Sequence, residues 1–440
     1  RITNPDGSLS LKNSDGTWTD YVEKGGNWQK QSTYKGDFTI GNDGSLTRSL
    51  AVPGENGETK IEYTRWNADG TVETADDSLL GGGLRWTLQN PDETAQRTML
   101  EKVADSSIAD PQKRARFESF LSQFENRITD PKERAQTYFE LSRMLQYNPD
   151  APLSAKQRAW VAEQLMMQIA DPTIIDQGSH STCNVTTVEE RLAIRNPSEY
   201  AKMIADSVVT GKYVTANGNT IDAMDIGALQ RDGEANKAWT QSVAANNSDL
   251  KDDGDRSFAS KIFQEIAVNI LLSQSDMDPV RTGTAVPGSW KLVSQFGTEV
   301  LVGPGGVTKP FGGLYGADLT YIYNEITGTD ESGFVFQKGS HTGIGPLQAL
   351  TDVDGRIINP SGAPYRDYKS VFSESMFVYQ LEQAKLNGKL PVIITVDANQ
   401  EPFWTASGNG AAGGSGNGTA EVAGHVVIIT DVDMSGAMIT

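Results

Sequence analysis

The spacing of apolar residues changes twice along this chain of 440 residues, and that change constrains its fold more than any other feature. Residues 1 to about 88 contain short β-prone runs separated by turn signals, which predict a series of β-hairpins. From about 89 to 170 the apolar residues recur with the helical period. Residues 171–440 mix both patterns. The sequence therefore predicts an α+β chain with three consecutive domains, at 1–88, 89–170 and 171–440.

The predicted turns of the first domain share an Asp-Gly pair beside an asparagine. The four pairs are Asp6-Gly7, Asp15-Gly16, Asp43-Gly44 and Asp69-Gly70. An EF-hand calcium loop needs acidic or amide ligands at alternate positions and a distal glutamate, and these turns lack that series. We therefore expect hairpin turns in a β-hairpin-rich module. Trp18, Trp28 and Trp66 are predicted to supply its core.

The second domain is predicted to be a small helical bundle. Its candidate helices, several of them opened by Asp-Pro or serine, cover 92–104, 111–127, 131–146 and 154–169. A bundle in this position could inhibit the following domain intramolecularly as a pro-segment, or it could only pack and link. No pro-segment motif is recognisable, so the packing role is the preferred interpretation.

Composition excludes several classes of partner. The formal net charge is −19, and so acidic a surface repels nucleic-acid phosphates. No apolar run approaches the ~18 residues needed for membrane insertion, and no signal-peptide pattern opens the chain. The sequence begins with Arg1, which suggests part of a longer protein. An acidic, Gly- and Asn-rich composition is compatible with a bacterial protein that is secreted or at the cell surface.

The chain has one cysteine, and its surroundings are those of a reactive thiol. Cys183 precedes a predicted helix, 184–194, in which Val185, Val188 and Leu192 mark one face for burial. The cysteine falls on the opposite side of that helical wheel. Free N–H groups at a helix start stabilise a thiolate, and Ser181 or Thr182 is a candidate cap for the turn.

Gln177 precedes Cys183 by six residues, and its amide is a candidate partner for the Cys183 N–H in binding an oxyanion. This segment, Asp-Gln-Gly followed by four residues and a cysteine, resembles the active-site segment of papain-like cysteine peptidases. The resemblance implies Gln177 as oxyanion donor, Cys183 as nucleophile and a papain-like two-lobe fold, with a helical lobe and a β-barrel-like lobe. Two departures indicate a divergent bacterial-type member. Asn184 replaces the usual aromatic residue, and His180 stands where many members have a disulfide-bonded cysteine.

The second half of the predicted site lies near the C-terminal end of the sequence. His425 begins a β-branched run typical of a buried strand, and it follows the strand-like run 391–397 and a glycine-rich loop, 407–419. The papain-like family has its catalytic histidine in this context. The separation from Cys183 exceeds the roughly 130 to 150 residues of the papain pattern, so insertions are expected.

Other residues compete for roles in the same site. His341 is a less favoured base because it falls in a turn rather than on a strand. The family's third member, usually an asparagine, is expected beyond residue 440, and Asp431 is the candidate within the chain. A zinc site at His180 is disfavoured, because one cysteine and three scattered histidines match no known spacing. Neither a metal nor another cofactor is predicted.

These residues predict a cysteine peptidase that cleaves peptide or isopeptide bonds in a protein or peptide substrate. Two alternatives remain open at this point. The first is an inactive papain-like module that has a binding or structural role in a large surface protein. The second is a transglutaminase-like acyltransferase that uses the same Cys-His pair.

Overall fold

The computed structural model describes most of the chain, with gaps. The described residues are 1–4, 7–42, 44–54, 59–77, 83–180, 182–244, 255–273, 290–295, 298–311, 314, 316–331, 333–336, 350–351, 356–358, 364–371, 374–397, 424–433 and 438–439. Side chains of several residues inside the helices and strands, Cys183 and His425 among them, lie outside this description. His341 and the glycine-rich loop 407–419 lie outside it altogether.

The chain is α+β, as predicted, and its sheets are small. By backbone contacts it divides into two compact units. Unit 1 consists of Arg1–Met166 and Ala201–Met224, and unit 2 consists of Met167–Tyr200 and Asp225–Thr440. Within the described residues no sheet closes into a barrel. None of the described helices is long and apolar enough to cross a membrane.

Two antiparallel sheets form the β-rich part of unit 1. The first contains β1 (Ile2–Thr3), β2 (Leu9–Lys12), β3 (Trp18–Lys24) and β4 (Asn27–Tyr34) in that order. The second contains β5 (Gly36–Ile40), β6 (Leu46–Pro53), β7 (Thr59–Trp66), β8 (Val72–Asp76) and β9 (Thr87–Leu88). Strands adjacent in sequence pair with each other, so this part of the chain folds as the predicted series of hairpins.

Asp15-Gly16 and Asp69-Gly70 form hairpin turns in which the aspartate side chain accepts hydrogen bonds from the turn, whereas Asp6 and Asp43 lie outside the described residues. Gly16 has φ +85° and Gly70 has φ +87°, a conformation that glycine adopts without strain. The carboxylate of Asp69 accepts the N–H of Thr71 at 2.9 Å and its hydroxyl at 2.6 Å. Asp15 makes the same pair of bonds with Thr17.

The predicted tryptophan core is only partly right. Trp18 and Trp66 are buried, but Trp28 is 46% exposed. Trp28 lies on β4, which is an edge strand of the first sheet, and the side chains of β4 before Tyr34 are all exposed. An edge strand with no element packed on its faces cannot bury an aromatic ring.

Helices follow in the order predicted, with ends shifted by up to three residues. Those of the predicted bundle are α1 (Glu93–Ser107), α2 (Pro111–Arg127), α3 (Pro131–Leu145) and α4 (Ala155–Ala170). Asp92, Asp110 and Asp130 cap the first three through their carboxylates. Helices α5 (Cys183–Arg195) and α6 (Pro197–Thr210) come next, followed by a hairpin of β10 (Lys212–Val214) and β11 (Thr220–Asp222).

Unit 2 contains α5 and four further described helices: α7 (Gly233–Ala244), α8 (Phe258–Leu272), α9 (Gly316–Thr327) and α10 (Glu374–Leu386). One sheet of unit 2 contains β12 (Lys291–Gln295), β13 (Thr298–Val302) and β14 (Thr308–Pro310). A second has the strand order β15 (Gly333–Phe336), β18 (Pro364–Val371), β17 (Arg356–Ile358) and β16 (Leu350–Thr351). Two further sheets are strand pairs, β19 (Val392–Asp397) with β20 (Gly424–Ile429) and β21 (Val432–Asp433) with β22 (Met438–Ile439). Every residue of α8 is buried, although the spacing of its apolar residues alone would indicate a single buried face. Its polar side chains tolerate this because they are paired, as Lys261 is with Glu265 at 2.8 Å.

Candidate functional site

Helix α5 begins at Cys183, so the thiol-bearing residue occupies the first helical position. The backbone N–H groups of Val185 and Thr186 both donate to the carbonyl of Thr182, which makes Thr182 the N-cap residue. The N–H of residue 183 therefore belongs to the first turn, whose donors have no partner inside the helix. Val185, Val188 and Leu192 are fully buried, which confirms the predicted inner face of α5.

The predicted side-chain cap is wrong for Thr182. Its hydroxyl makes no capping bond and instead donates to Oε1 of Gln264 on α8, at 2.7 Å. Thr182 is almost fully buried, so its hydroxyl needs a buried partner, and Gln264 provides one. The other predicted cap, Ser181, lies outside the described residues.

The strand that carries His425 packs on the helix that begins with Cys183. Strand β20 pairs antiparallel with β19, and both contact α5. His425 is the second residue of β20, opposite Val396 in the hairpin. The two elements predicted to bring a nucleophile and a base together are therefore neighbours within unit 2.

Gln177 lies in the loop ahead of α5, after a short 3-10 turn at Pro172–Ile174. Its side chain is half-buried, and its amide has no hydrogen-bond partner among the residues that the structure describes. The N–H of Gly178 donates to the carboxylate of Asp176 at 2.8 Å, and Gly178 has φ +61°. The loop thus turns tightly next to Gln177.

Both ends of this loop are bonded to one side chain of α8. Nε2 of Gln264 lies 3.3 Å from the carbonyl oxygen of Asp176, and Oε1 of the same residue accepts the Thr182 hydroxyl. Nε2 also donates to Glu189 on α5 at 3.0 Å. Gln264 therefore joins the start of the loop, its end and the helix that follows.

The middle of the loop is held by charged side chains from three other segments. We call these side chains together with His180 the His180 cluster, and its members are His180, Asp232, Glu234, Arg256 and Glu299. Nδ1 of His180 lies 2.8 Å from Glu299, while Nε2 lies 3.7 Å from Asp232 and 3.6 Å from Glu234. Arg256 bridges Asp232 at 2.9 Å and Glu299 at 2.6 Å.

Glu234 binds the loop directly. One of its carboxylate oxygens accepts both the N–H and the hydroxyl of Ser179, at 3.1 and 2.6 Å, and the other accepts the N–H of Arg256 at 2.7 Å. A Cβ at Gly178 would overlap this carboxylate, so only glycine fits at that position. The approach of Glu234 explains the glycine that follows Gln177.

Burial alone would raise the pKa of Glu299, yet its pKa is lowered to about 2. The hydrogen bond from His180 and the positive charge of Arg256 outweigh the burial, so this carboxyl is ionised at neutral pH. In the described part of the chain no group of three or more His, Cys, Asp or Glu side chains is arranged to hold a metal ion. The contacts that the structure shows in the His180 cluster are hydrogen bonds and ion pairs among its side chains.

Two neighbouring carboxyls of α5 have unusual acidity. Burial raises the pKa of Glu189 to about 7, and burial followed by the charges of Glu189 and Asp176 raises that of Glu190 to about 7. Glu189 accepts the hydroxyl of Tyr200 at 2.6 Å. Glu190 has no hydrogen-bond partner among the described residues.

Asp431, the predicted candidate for the third catalytic position, lies beyond the end of β20. Its exposed carboxylate pairs with Lys385 of α10 at 2.7 Å, and this bond lowers its pKa. Strand β20 ends at Ile429, about 13 Å from His425 at roughly 3.3 Å per residue. The extended strand thus carries Asp431 away from the histidine.

Sequence reasoning missed the His180 cluster and Gln264. The members of the cluster are far apart in sequence, so their meeting depends on tertiary structure. One signal was present, because Lys261, Gln264 and Glu265 interrupt a strongly apolar helix. Polar residues at such positions need buried partners, which in a core indicates a network.

Comparison of the chain with protein-family models, with curated proteins and with solved structures gave no match in any of the three.

Proposed function

We propose that the protein is a cysteine peptidase with a papain-like arrangement, in which Cys183 is the nucleophile and His425 the general base. The observation that carries the proposal is the packing of α5 against β20. Helix α5 begins with Cys183, the only cysteine, and strand β20 has His425 as its second residue. The two elements are far apart in sequence, yet they are neighbours in unit 2. In this proposal α5, α8 and α9 belong to the helical lobe, and β19 and β20 to the other lobe.

The surroundings of α5 support a shared face for the two residues. One flank of α5 faces α9, where Asn184 donates to the carbonyl of Leu314 and Arg191 stacks 4.0 Å from the ring centre of Tyr323. Another flank faces α8 through Glu189. The wheel position of residue 183 lies away from both flanks. The β19–β20 hairpin also contacts α5 and is a candidate neighbour for that side of the helix.

The proposed mechanism is acyl transfer through a thioester. His425 takes the proton of the Cys183 thiol, the thiolate sulfur attacks the carbonyl carbon of the scissile bond, and the carbonyl oxygen becomes an oxyanion. The Cys183 N–H and the Gln177 amide donate hydrogen bonds to that oxyanion. The C–N bond then breaks as His425 gives its proton to the leaving amine. Water attacks the thioester, His425 takes a proton from it, and the thiol and a carboxylic acid are released. Asp431 takes no part in this scheme.

The Gln177 amide has no hydrogen-bond partner among the described residues, which supports its role in the scheme. If it is an oxyanion donor, Gln177→Ala lowers kcat by about 100- to 1000-fold while KM changes little, because the lost bond forms mainly in the transition state. The measurement is the steady-state hydrolysis of the best substrate from a fluorogenic peptide library. A loss confined to KM would contradict the assignment.

The test of the proposed function is acyl-enzyme formation. The wild-type protein is mixed with a p-nitrophenyl ester and with peptide amides, and the burst of p-nitrophenol and the acylated residue are measured. We expect acylation at Cys183, none in Cys183→Ser, and a strong reduction in His425→Ala. His341→Ala is the matched histidine control and should retain the burst. No burst and no peptide cleavage in the wild type, or equal rates in His425→Ala and His341→Ala, would refute the proposal.

A further inference from the structure

We propose that the His180 cluster is a positioning device for the oxyanion donors, acting through the loop at 176–182. This inference rests on the proposed function, because it assigns the cluster to the Gln177 amide and the start of α5. No member of the cluster is proposed to touch the substrate. His180 is a positioning residue in this scheme, since its side chain is only 4% exposed and faces carboxylates.

The cluster ties the centre of the loop to three other segments of the chain. Asp232 and Glu234 come from the start of α7, Arg256 from the residue pair that precedes α8, and Glu299 from β13. Gln264 holds only the two ends of the loop. Ser179 and His180, in the middle, are bonded to Glu234 and Glu299 respectively.

The contacts of the cluster fit an imidazole at position 180. Nδ1 of His180 is bonded to Glu299, and the guanidinium of Arg256 bridges Glu299 and Asp232. Nε2 of His180 is buried, has no hydrogen-bond partner among the described residues and points toward the carboxylates of Asp232 and Glu234. An apolar residue at 180 would remove the bond to Glu299 and release the middle of the loop.

A small movement of this loop acts directly on Gln177. The residue stands between Asp176, whose carbonyl bonds Gln264, and Gly178, which lies against the carboxylate of Glu234. Because the contacts are made by the two residues adjacent to Gln177, a shift in either is passed to its backbone. Misplacing a catalytic group by about 1 Å costs on the order of 100-fold in rate.

The experiment compares two reactions of the same thiol in the full chain. Acyl transfer from a p-nitrophenyl ester needs the oxyanion donors. Alkylation by iodoacetamide is a direct displacement that forms no oxyanion, so it reports on the thiolate and its histidine alone. A positioning role predicts that changes in the cluster reduce the first reaction and spare the second. A general loss of structure would reduce both.

The first variant is Ser179→Ala, which removes one exposed hydroxyl bond to Glu234 and is expected to fold. Thr173→Ala is its matched control, because it removes an exposed hydroxyl–carboxylate bond of the same 2.6 Å length to Asp171, before the loop. We expect Ser179→Ala to lower kcat for acyl transfer about fivefold at unchanged KM and to leave alkylation within twofold. Thr173→Ala should change neither reaction.

The second pair of variants is His180→Leu and His180→Asn. The asparagine keeps a donor toward Glu299, so it should retain more acyl transfer than the leucine, for which a loss on the order of 100-fold is expected. Acyl transfer and alkylation that fall in parallel in the Ser179 and His180 variants, or that do not change in any of them, would overturn the positioning role while leaving the proposed function intact. A wild-type protein without acyl transfer would overturn both.

Discussion

Glu190 has an environment that disfavours its charged form. It lies seven residues after Cys183, and so on the same side of α5. Its carboxyl is largely buried and lacks a described partner, and its pKa is raised to about 7. The charged form is therefore unfavourable in the folded protein.

This shift predicts a stability that falls as pH rises. A carboxyl with a raised pKa binds its proton more tightly in the folded than in the unfolded chain, so stability is lost between about pH 4.5 and 7 and stays lower above that window. Glu190→Gln keeps the shape and removes the charge. We expect the variant to be more stable than the wild type by about 1–2 kcal/mol at pH 8, and equal to it near pH 4. Urea unfolding at both pH values measures this, and a variant that is less stable at pH 8 would contradict it.

Gly178 offers a second test at the scale of one residue. Gly178→Ala combines a left-handed backbone with overlap against Glu234, whereas Gly16→Ala has a similar φ and open space around it. We expect Gly16→Ala to cost about 1 kcal/mol and Gly178→Ala clearly more, with loss of acyl transfer in Gly178→Ala alone. Thermal unfolding and the ester assay provide the comparison. Equal effects of the two substitutions on both would show that Glu234 does not constrain the loop.

At this scale the sequence predicted the local positions of single residues better than it predicted their contacts with residues distant in the chain. The spacing of Gln177 and Cys183 is local, so the helix start at Cys183 and the turn before it could be read directly. Glu234 and Glu299 approach His180 only after α7, β13 and the residues before α8 have assembled. No local pattern carries that information.

At the scale of elements, α5 is the centre of the proposed site because it contacts α8, α9 and the β19–β20 hairpin. Periodicity predicted its buried face correctly, since Val185, Val188 and Leu192 have helical spacing. Periodicity did not predict that α8 is buried all round. Its polar residues imply an exposed face until the tertiary partners of Lys261, Gln264 and Glu265 are known.

The packing of α5 predicts unequal effects along the helix. Leu192→Ala removes a fully buried side chain and should cost about 2–5 kcal/mol. Arg195→Ala removes a partly exposed ion pair with Glu331 at 3.0 Å and should cost less than about 1 kcal/mol. Urea unfolding followed by circular dichroism tests both. Similar costs for the two variants would mean that the inner face of α5 does not carry the packing described.

At the scale of the whole molecule, the two compact units are not consecutive in sequence. Ala201–Met224 groups with unit 1, although it follows a segment of unit 2. Asp206 in this stretch pairs with Arg143 at 2.8 Å, and Arg85 donates to the carbonyl of Val214 at 2.7 Å. Linear periodicity can locate elements and changes of period, but it cannot detect a segment that returns to an earlier unit.

This arrangement bears on the domain boundary predicted at 170/171. A fragment of residues 171–440 would lack Arg85 and Arg143 and would expose Tyr213, which is fully buried in the full chain. We expect that fragment to bind a hydrophobic dye and to unfold at a lower temperature than the full chain. A fragment as stable as the full chain, without dye binding, would support a self-contained domain that starts at 171.

The pH dependence of the alkylation of Cys183 tests the central claim most directly, because it reports whether His425 acts on the thiol. Iodoacetamide labelling is followed by mass spectrometry from pH 4 to 9 in the wild type and in His425→Ala. We predict a wild-type rate that is already high near pH 6, where an ordinary thiol with a pKa of about 8.5 is almost unreactive, and a fall to ordinary behaviour in His425→Ala. Identical profiles of an ordinary thiol in both proteins would contradict the pairing of Cys183 with His425.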